Sequence, residues 1–594
     1  MRDVIVVGAG GGGAVVAKEL AARGLDVLLL EAGPRHADIT EEWTHYENDA
    51  NNPLTGFLRF GPSDRSQPAW YRELPQNSFL WQLSGVGGTT QHYFGNCPRA
   101  YPGVFAGYDG ADRDAYDTAH LFPFGYSELV PYYEWVEATL PVQTAAMGRK
   151  EEVFFRGCEQ LGLPVQTAKT TTEDSYRPQE NAILQPGGAA GRVSGYEGEP
   201  RLLYPEATGC TFCGYCFQGC SHPAKAPRNL IAKRSTDNSY VPMALTADRW
   251  APGGRPVTLV TDAFVTRVHT EQRGGRTAAS GVTWREGATG DHQREDAKVV
   301  VLAAGCTENP RLWFNSGLPD PNDWVGRGYT DHYFDWIIAS FDSYTGSSKG
   351  TGSSARSDWP GRGGVMNVGL PPALKAFTMT FSDSGIRGQY GNGRGEAGPW
   401  DGPAGRLMGP ELKDMMMGGI DQMFCMLVMT DDDVERQNRV TLSALPADEH
   451  GSVAKVEMHQ RQRSRRTVAN REFLVRKGVE IARAAGARTV HRMDWPPLIL
   501  HVQSTMRMGE SERNSVLDAD GQARWVDGLY VADNSALANS AAGVNPTLTT
   551  QAVATRTAEK IFTSRFGGAA WVRSEAPVVS TDDRVAQGMD DLGL

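Results

Sequence analysis

The chain has 594 residues, with 59 basic and 70 acidic side chains, a net charge of -11, 40% hydrophobic and 9% aromatic residues. This composition excludes a disordered chain, and the acidic balance argues against nucleic-acid binding because phosphate polymers are repelled on average. No run approaches the roughly 18 consecutive apolar residues of a membrane span, so no transmembrane segment is expected. The apolar run at the N-terminus has no signal-peptide cleavage site, which predicts a cytoplasmic location.

The first thirty residues predict a β-α-β nucleotide-binding unit. Its strand, helix and second strand are expected at Asp3–Val7, Ala14–Arg23 and Asp26–Leu30. Gly8, Gly10 and Gly13 have the G-x-G-x-x-G spacing, which permits a tight turn, close approach of the backbone to a pyrophosphate, and helix-strand packing. Glu31 ends the second strand, where a carboxylate accepts a hydrogen bond from a ribose hydroxyl. The alternative is a glycine-rich turn that only connects packed elements.

Four of the eight cysteines fall together in the middle of the chain and indicate a metal cluster. They are Cys210, Cys213, Cys216 and Cys220, spaced C-x₂-C-x₂-C-x₃-C as in bacterial ferredoxins but without the proline that follows there. The spacing predicts an iron-sulfur cluster, either 3Fe-4S or 4Fe-4S. Zinc ranks below iron-sulfur because zinc sites more often use two knuckles about 15–20 residues apart, unlike this compact spacing. Paired disulfides are the third candidate. The remaining cysteines are expected to be buried apolar residues: Cys97, Cys158, Cys306 and Cys425.

The second half of the chain predicts more of the nucleotide-binding sheet and a terminal helix. Lys298–Ala304 is a β-branched run typical of a buried parallel strand, and Thr307 then begins a helix. Gly528–Asp533 is expected to be another short strand. The simplest role of Asp533 is to cap the end of that strand. Asn545-Pro546 predicts a helix start, with Asn as N-cap and Pro in the first helical position.

The region 331–499 predicts an antiparallel sheet. Strand-like runs alternate with glycine-rich loops there, at Met423–Met429, Arg439–Leu442 and Val453–Met458. The Gly/Ser-rich stretch Tyr344–Gly364 predicts a loop, which is either a mobile lid or an ordinary surface excursion. Phe122–Ala138 predicts a helix-bearing crossover, and the residues from Ser564 onward show no clear periodicity.

Several segments resemble, in the same order, those of the glucose-methanol-choline (GMC) flavin oxidoreductases. They are Gly85-Val-Gly-Gly-Thr-Thr-Gln-His-Tyr, KVVVLAAGCTENPRLWFNSG at 298–317, HVQSTMRMG at 501–509, and 528–554. The resemblance implies an α/β fold, with a Rossmann-like FAD-binding domain of GMC type and an inserted α+β substrate domain built on an antiparallel sheet. The implied FAD-binding domain comprises 1–35, 80–105, 225–330 and 500–565. The implied inserted segments are 36–79 and 106–224, followed by a substrate-binding domain at 331–499 and a tail at 566–594.

The resemblance also implies the reacting groups. His501 corresponds to the histidine that takes the hydroxyl proton while hydride passes to flavin N5, and imidazole suits this role because its pKa of about 6.5 lets it accept a proton near neutrality. Asn545 corresponds to the family's second polar position, and the helix that follows would stabilise negative charge on the reduced flavin. Further cofactor contacts are implied for Gly87, Gly88, Thr89, Asp533 and Pro546. His92 corresponds to a histidine that some relatives bond covalently to the flavin, whereas in others it only packs against the ring.

Together these features predict oxidation of an alcohol group of a sugar, glycoside or polyol. The cysteine cluster is similar to that of the sugar-dehydrogenase branch, which implies that electrons leave through iron-sulfur to a cytochrome or quinone. A small partner subunit, and export together with it, are implied alternatives to a cytoplasmic enzyme working alone. Two other activities remain open, namely an oxygen-using alcohol oxidase and a redox-silent flavoprotein such as a hydroxynitrile lyase.

Overall fold

The computed structural model contains two large β-sheets, which we describe in turn. The described residues are 1–36, 79–80, 82–144, 147–185, 209–223, 226–287, 290–372, 375, 409–444, 446–459, 462–493 and 498–594. The helices in these ranges are Gly13–Ala22, Tyr126–Thr139, Arg149–Gln160, Tyr240–Leu245, Ala247–Trp250, Gly305–Asn315, Gly409–Gly419, Arg465–Ala484, Thr547–Phe566 and Asp583–Asp591. None of them is long and apolar enough to cross a membrane.

The first sheet, which we call the nucleotide sheet, has a parallel core. Its strands are Arg2–Val7, Val27–Leu30, Thr258–Val260, Ala263–Arg273, Arg276–Glu286, His292–Leu302 and Leu529–Val531. The first strand lies between Val27–Leu30 and the end of His292–Leu302, parallel to both. Its residues Val4, Ile5 and Val6 are fully buried, as expected of a parallel strand covered on both faces. The predicted β-α-β unit is confirmed to within one residue at each boundary.

One strand of the nucleotide sheet starts earlier than predicted. The run expected from Lys298 begins at His292, because residues 292–296 pair antiparallel with Arg276–Glu286. That first half is polar and mostly exposed, whereas Val299 to Leu302 is buried between two parallel neighbours. Hydrophobicity therefore revealed only the second half of the strand.

The second sheet is antiparallel and covers the ligand-facing edge of the nucleotide sheet, so we call it the roof sheet. Its strands are Ser175–Pro178, Asp335–Ser340, Ala355–Trp359, Gly363–Val368, Met423–Thr430 and Thr489–Met493. The central strand Met423–Thr430 is buried along its whole length. On one face its side chains pack with Leu474 and Val475 of the helix Arg465–Ala484, and on the other Leu427 packs with Met366. This second face is directed toward the cavity described below.

Two predictions for the roof region are wrong. The stretch Tyr344–Gly364, expected as an exposed or mobile loop, contains a buried strand, and a second strand begins within it at Gly363. Its polar residues are hidden because they pair internally, as Arg356 does with Asp358 at 2.6 Å. The runs near 439–442 and 453–458 are strands, but they form a separate two-stranded sheet with each other.

The C-terminal residues, which lack periodicity in the sequence, are ordered against the nucleotide-binding region. Trp571 is 1% exposed, and its backbone N–H donates to Glu559 at 2.7 Å. The final helix Asp583–Asp591 buries Val585 and Met589, and it contacts the helices at 240–250.

The tight turn at the N-terminus yields a stability prediction. A methyl group on Gly13 would lie 1.9 Å from the carbonyl oxygen of Gly8 and 3.0 Å from Ala303. We expect Gly13→Ala to lower the free energy of unfolding by about 1–3 kcal/mol, because backbone must move to admit the side chain. In Gly419→Ala the nearest atom to the new methyl group is Met423 Cγ at 3.8 Å. Urea unfolding should show little change for this control, and equal stability of both variants would contradict the packing argument.

Candidate active site

One cavity extends from the glycine turn of the nucleotide sheet to the roof sheet. It brings together most residues that the sequence singled out: Gly8, Gly10, Glu31, Gly88, Thr89, His92, His501, Asp533, Asn545 and Pro546. Two predicted contacts, Gly13 and Gly87, do not line it. Gly13 packs against Gly8, and Gly87 adopts a φ of 101° beside Asp237, so both shape the backbone behind the cavity.

The glycine turn leaves space for a ligand at the start of the first helix. Gly8 has a φ of 102°, and a Cβ on Gly12 would lie 1.8 Å from the carbonyl oxygen of Ala532. The helix Gly13–Ala22 begins without a side-chain cap. Ala14 N already donates to Gly10 O at 3.2 Å, so an anionic ligand would be bound by the other N–H groups of this turn, which the positive end of the helix dipole also favours.

Glu31 lies at the same end of the cavity and is held by the backbone. Its carboxylate accepts hydrogen bonds from Ala9 N at 2.7 Å and Gly33 N at 2.9 Å. Burial raises the pKa of Glu31 to about 7 despite these donors. A phosphate cradle next to a buried acid at the end of the second strand fits the pyrophosphate and ribose of FAD.

Asp533 connects two turns at the floor of the cavity. One carboxylate oxygen accepts from Gly305 N at 2.7 Å and from Asn309 Nδ2 at 2.9 Å, and the other accepts from Ser535 N at 2.9 Å. Asp533 is thus the predicted cap of a turn and also a lining residue of the cavity. Burial raises the pKa of its carboxyl group.

His92 lines the cavity, and its hydrogen bond indicates which ring nitrogen carries the proton. Its Nδ1 lies 2.8 Å from the backbone oxygen of Phe217, and because a carbonyl only accepts, Nδ1 carries the proton. Burial lowers the pKa of His92 to about 3, so the ring is neutral. This arrangement is compatible with both predicted roles, a covalent bond to the flavin or packing against it.

The cysteine-rich loop lies behind His92. The buried ammonium group of Lys233 donates to the carbonyl oxygens of Gln91 at 2.5 Å, Tyr93 at 2.9 Å and Cys216 at 2.6 Å. Lys233 therefore ties the His92 segment to the cysteine loop.

The described geometry does not support the predicted metal cluster. Within the described ranges, no group of three or more His, Cys, Asp or Glu side chains is arranged to hold a metal ion. In the loop, Phe212 N donates to Cys210 Sγ at 3.4 Å and Cys220 Sγ lies 3.6 Å from His222 O. The four scattered cysteines are all buried, as expected: Cys97, Cys158, Cys306 and Cys425.

His501 is placed at the roof end of the cavity, just after the short strand Leu498–Ile499. Its Nδ1 lies 3.0 Å from Nδ1 of His332. Burial is the main reason that the pKa of His501 lies well below the usual 6.5, and His332 and Arg356 lower it further. His501 is therefore an unprotonated imidazole at neutral pH.

Asn545 lines the same end of the cavity, but its predicted N-cap role is wrong. The helix Thr547–Phe566 has Pro546 at the N-cap position and no side-chain cap. The Asn545 side chain turns away instead, because its Oδ1 accepts from Gln179 Nε2 at 3.3 Å and from Arg356 Nη1 at 3.5 Å. This orientation leaves the Nδ2 amide group of Asn545 for the cavity side.

Sequence reasoning missed three residues behind the reacting end, namely His332, Gln179 and Arg356. Gln179 follows the edge strand Ser175–Pro178 of the roof sheet, and Arg356 lies in the neighbouring strand Ala355–Trp359, within the stretch expected to be a loop. The available signal was the alternation of charged and small residues in Ala355–Trp359, which suits a strand with an internal ion pair. His332 has no motif of its own.

Comparisons with known proteins agree on one family. GMC oxidoreductase models match residues 178–334 and 434–554, and an NAD(P)-binding Rossmann-like model matches 6–72. The chain is 26% identical to 2-methyl-1,2-propanediol dehydrogenase of Mycolicibacterium austroafricanum, covering 94% of this chain and 95% of the relative. It is 25% identical to the fructose dehydrogenase large subunit of Gluconobacter japonicus, covering 94% and 97%.

A solved structure supports the same fold. Pyridoxine 4-oxidase from Mesorbium loti superposes with a TM-score of 0.58 at 15% identity, covering 94% of this chain and 99% of that one. Together with the family models, this match confirms the predicted class of a Rossmann-like domain combined with an antiparallel sheet.

The contacts of Lys233 predict a stability effect at the cavity wall. We expect Lys233→Met to lower the free energy of unfolding by about 1–3 kcal/mol or more, because the carbonyls it satisfies lose a buried donor. Lys298→Met is the matched control, since the Lys298 side chain is 53% exposed and its ion pair with Asp3 contributes about 0–1 kcal/mol. Urea unfolding of both variants measures the difference, and a Lys233→Met protein as stable as the control would disprove this role.

Proposed function

Because the chain belongs to the GMC oxidoreductase family and is an FAD-dependent enzyme acting on CH–OH groups, we propose that it oxidises an alcohol group of a sugar, glycoside or polyol with His501 as the base. The similar proteins are named for a diol, for fructose and, in paromamine 6'-oxidase of Streptomyces fradiae, for paromamine. Paromamine 6'-oxidase is 24% identical to this chain, and the match covers 94% of this chain and 91% of the relative. The shared chemistry is a small molecule with hydroxyl groups.

The observation that carries this proposal is a neutral imidazole beside a carboxamide in the same cavity. When bound, FAD supplies the acceptor for the hydride that leaves the alcohol carbon. His501 is unprotonated at neutral pH and half-buried at the cavity wall, so it can take the hydroxyl proton from a substrate placed there.

Asn545 is proposed to orient the substrate oxygen. Arg356 can only donate, so its contact fixes Oδ1 as the atom directed toward Arg356 and Gln179. The Nδ2 group then remains to donate to the substrate oxygen as its proton leaves. Arg356 is itself held by Asp358 at 2.6 Å and is fully buried, so this orientation is fixed before substrate binds.

The route by which electrons leave is a separate proposal. The cysteine spacing favours an iron-sulfur exit toward a cytochrome or quinone, and the loop lies against His92 through Phe217. The described thiols do not form a metal-holding group, so we assign no electron-transfer step to them. The alternative is direct reoxidation by oxygen, and a similar long-chain-alcohol oxidase of Arabidopsis thaliana is 22% identical over 95% of this chain and 67% of its own length.

Metal and peroxide analysis separates these two routes. We expect an iron-sulfur dehydrogenase, purified anaerobically, to contain stoichiometric iron and acid-labile sulfide and to reduce a dye without forming peroxide. Metal-free protein that forms one peroxide per alcohol oxidised would disprove the iron-sulfur route and establish the oxidase. Cys213→Ser serves as the matched variant, because loss of a ligand should remove the iron.

The base assignment yields a turnover prediction. We expect His501→Ala to bind FAD and remain yellow while kcat falls by about 10²–10⁴-fold, the usual contribution of general acid-base assistance. His269→Ala is the control, because His269 lies on the outer strand Ala263–Arg273 and hydrogen-bonds Thr283 away from the cavity. Steady-state kinetics test this, and unchanged turnover in His501→Ala would remove the proposed base.

The pKa of His501 also predicts the pH dependence. Burial disfavours the imidazolium, so the pKa of the base lies below its usual 6.5 and the active unprotonated form persists as the pH falls through neutrality. We expect kcat/KM to be flat from pH 8 down to about 6.5 and to decline only in more acidic buffer. A fall in kcat/KM on the acidic side with a pKa above 7, absent in His501→Ala, would contradict the proposal that His501 is a neutral base at neutral pH.

A further inference from the structure

A continuous line of polar groups runs from the backbone of Ser540 through His332 to His501. Nε2 of His332 lies 2.7 Å from the Ser540 carbonyl oxygen, and Nδ1 of His332 lies 3.0 Å from Nδ1 of His501. His332 is fully buried and does not line the cavity, whereas His501 does. His332 therefore acts on a substrate only through His501.

The Ser540 carbonyl determines where the protons lie. A carbonyl oxygen has no proton to give, so the 2.7 Å contact is a hydrogen bond only when Nε2 of His332 is the donor. A neutral imidazole carries one proton, which leaves a lone pair on Nδ1 of His332. Nδ1 of His501 must then donate to it across 3.0 Å, and Nε2 of His501 keeps its lone pair.

We propose that His332 is a positioning residue that fixes the tautomer of His501, so that His501 presents an unprotonated Nε2 to the substrate hydroxyl. This inference rests on the proposed role of His501 as base. The proton passes from the substrate oxygen to Nε2, no electron is exchanged in this transfer, and His332 stabilises the resulting imidazolium by accepting from Nδ1.

Burial, more than the surrounding charges, keeps both rings neutral before the reaction. The pKa of His332 is lowered to about 4, mainly by burial and in smaller part by Arg356, against the Ser540 carbonyl and Asp331, which raise it. Arg356 also disfavours a charge on His501. Each ring thus holds one proton near neutral pH, which the tautomer argument requires.

The backbone around His332 is strained in a way that suits a positioning role. His332 and Tyr333 have φ values of 66° and 35°, and the facing residues Ser504 and Ala542 have 75° and 65°. Such left-handed conformations are unfavourable for residues other than glycine and persist where the surrounding structure imposes them. Thr430 N holds the His332 carbonyl at 2.8 Å, which helps to keep the ring between Ser540 and His501.

Gln503 defines the competing arrangement. Its Nε2 donates to the His501 carbonyl at 3.0 Å and lies 2.9 Å from Nε2 of His332. If His332 accepted from Gln503, its Nε2 lone pair would face the Ser540 oxygen and its Nδ1 would donate to His501. Nε2 of His501 would then carry a proton and could not act as base.

Nitrogen-15 NMR of histidine-labelled holoenzyme distinguishes the two arrangements without relying on turnover. The His501 signals are identified as those lost in His501→Ala. We expect the proton of His501 on Nδ1 in the oxidised, FAD-loaded protein at neutral pH. A proton on Nε2 would overturn the proposal even if every His332 variant failed to fold.

Two variants at His332 test the functional consequence. His332→Phe keeps a ring but removes the acceptor, and we expect a fall in kcat of about 10²–10⁴-fold with little change in KM. His332→Asn can offer Oδ1 near the position of Nδ1 and tolerates the left-handed backbone, so it should retain kcat within about tenfold and keep the His501 proton on Nδ1.

Controls separate this inference from the proposed function. Flavin absorbance and the melting temperature report whether each variant is folded, and His269→Phe shows the effect of the same exchange outside the cavity. An active His501→Ala would disprove the base itself. An inactive His501→Ala combined with a fully active His332→Phe would leave the base in place and disprove the positioning role.

Discussion

The burial of His332, together with the partial burial of His501 next to it, is the constraint on which the proposed chemistry depends. His332 and His501 are neutral because burial penalises their charged forms, and a neutral ring can hold only one proton. The Ser540 carbonyl then determines the proton position on the first ring, and thereby on the second. In the proposed mechanism, packing and backbone geometry supply the neutral base at neutral pH.

The same principle of fixed polar groups applies across the cavity. Asn545 is held by Arg356, which is held by Asp358, and the His92 segment is held by Lys233. These supporting groups are almost entirely buried, so their hydrogen bonds are made before any ligand enters. The cysteine loop takes part through its backbone carbonyls at Cys216 and Phe217, which gives it a structural role at the cavity wall whatever its thiols bind.

The sequence predicted those parts of the molecule that local patterns determine. The β-α-β unit and the strand Met423–Thr430 were found within one residue, because apolar runs and glycine spacing are local signals. The stretch Tyr344–Gly364 was misjudged because its strands are polar and are buried by pairing with distant partners. His332 could not be found, since its importance arises from contacts with residues more than 160 positions away. Asn545, which was selected through resemblance, lines the cavity, but its side-chain orientation depends on Gln179 and Arg356, which no local pattern reveals.

Anaerobic reduction of the bound flavin tests the central claim most directly. The holoenzyme is mixed, without oxygen, with a series of diols, sugars and glycosides that includes 2-methyl-1,2-propanediol and fructose, and the yellow absorbance is followed. The account predicts that at least one of these alcohols bleaches the flavin, and that deuterium on the reacting carbon slows the bleaching. A folded protein that binds no FAD, or one whose flavin stays oxidised with every alcohol, would contradict it.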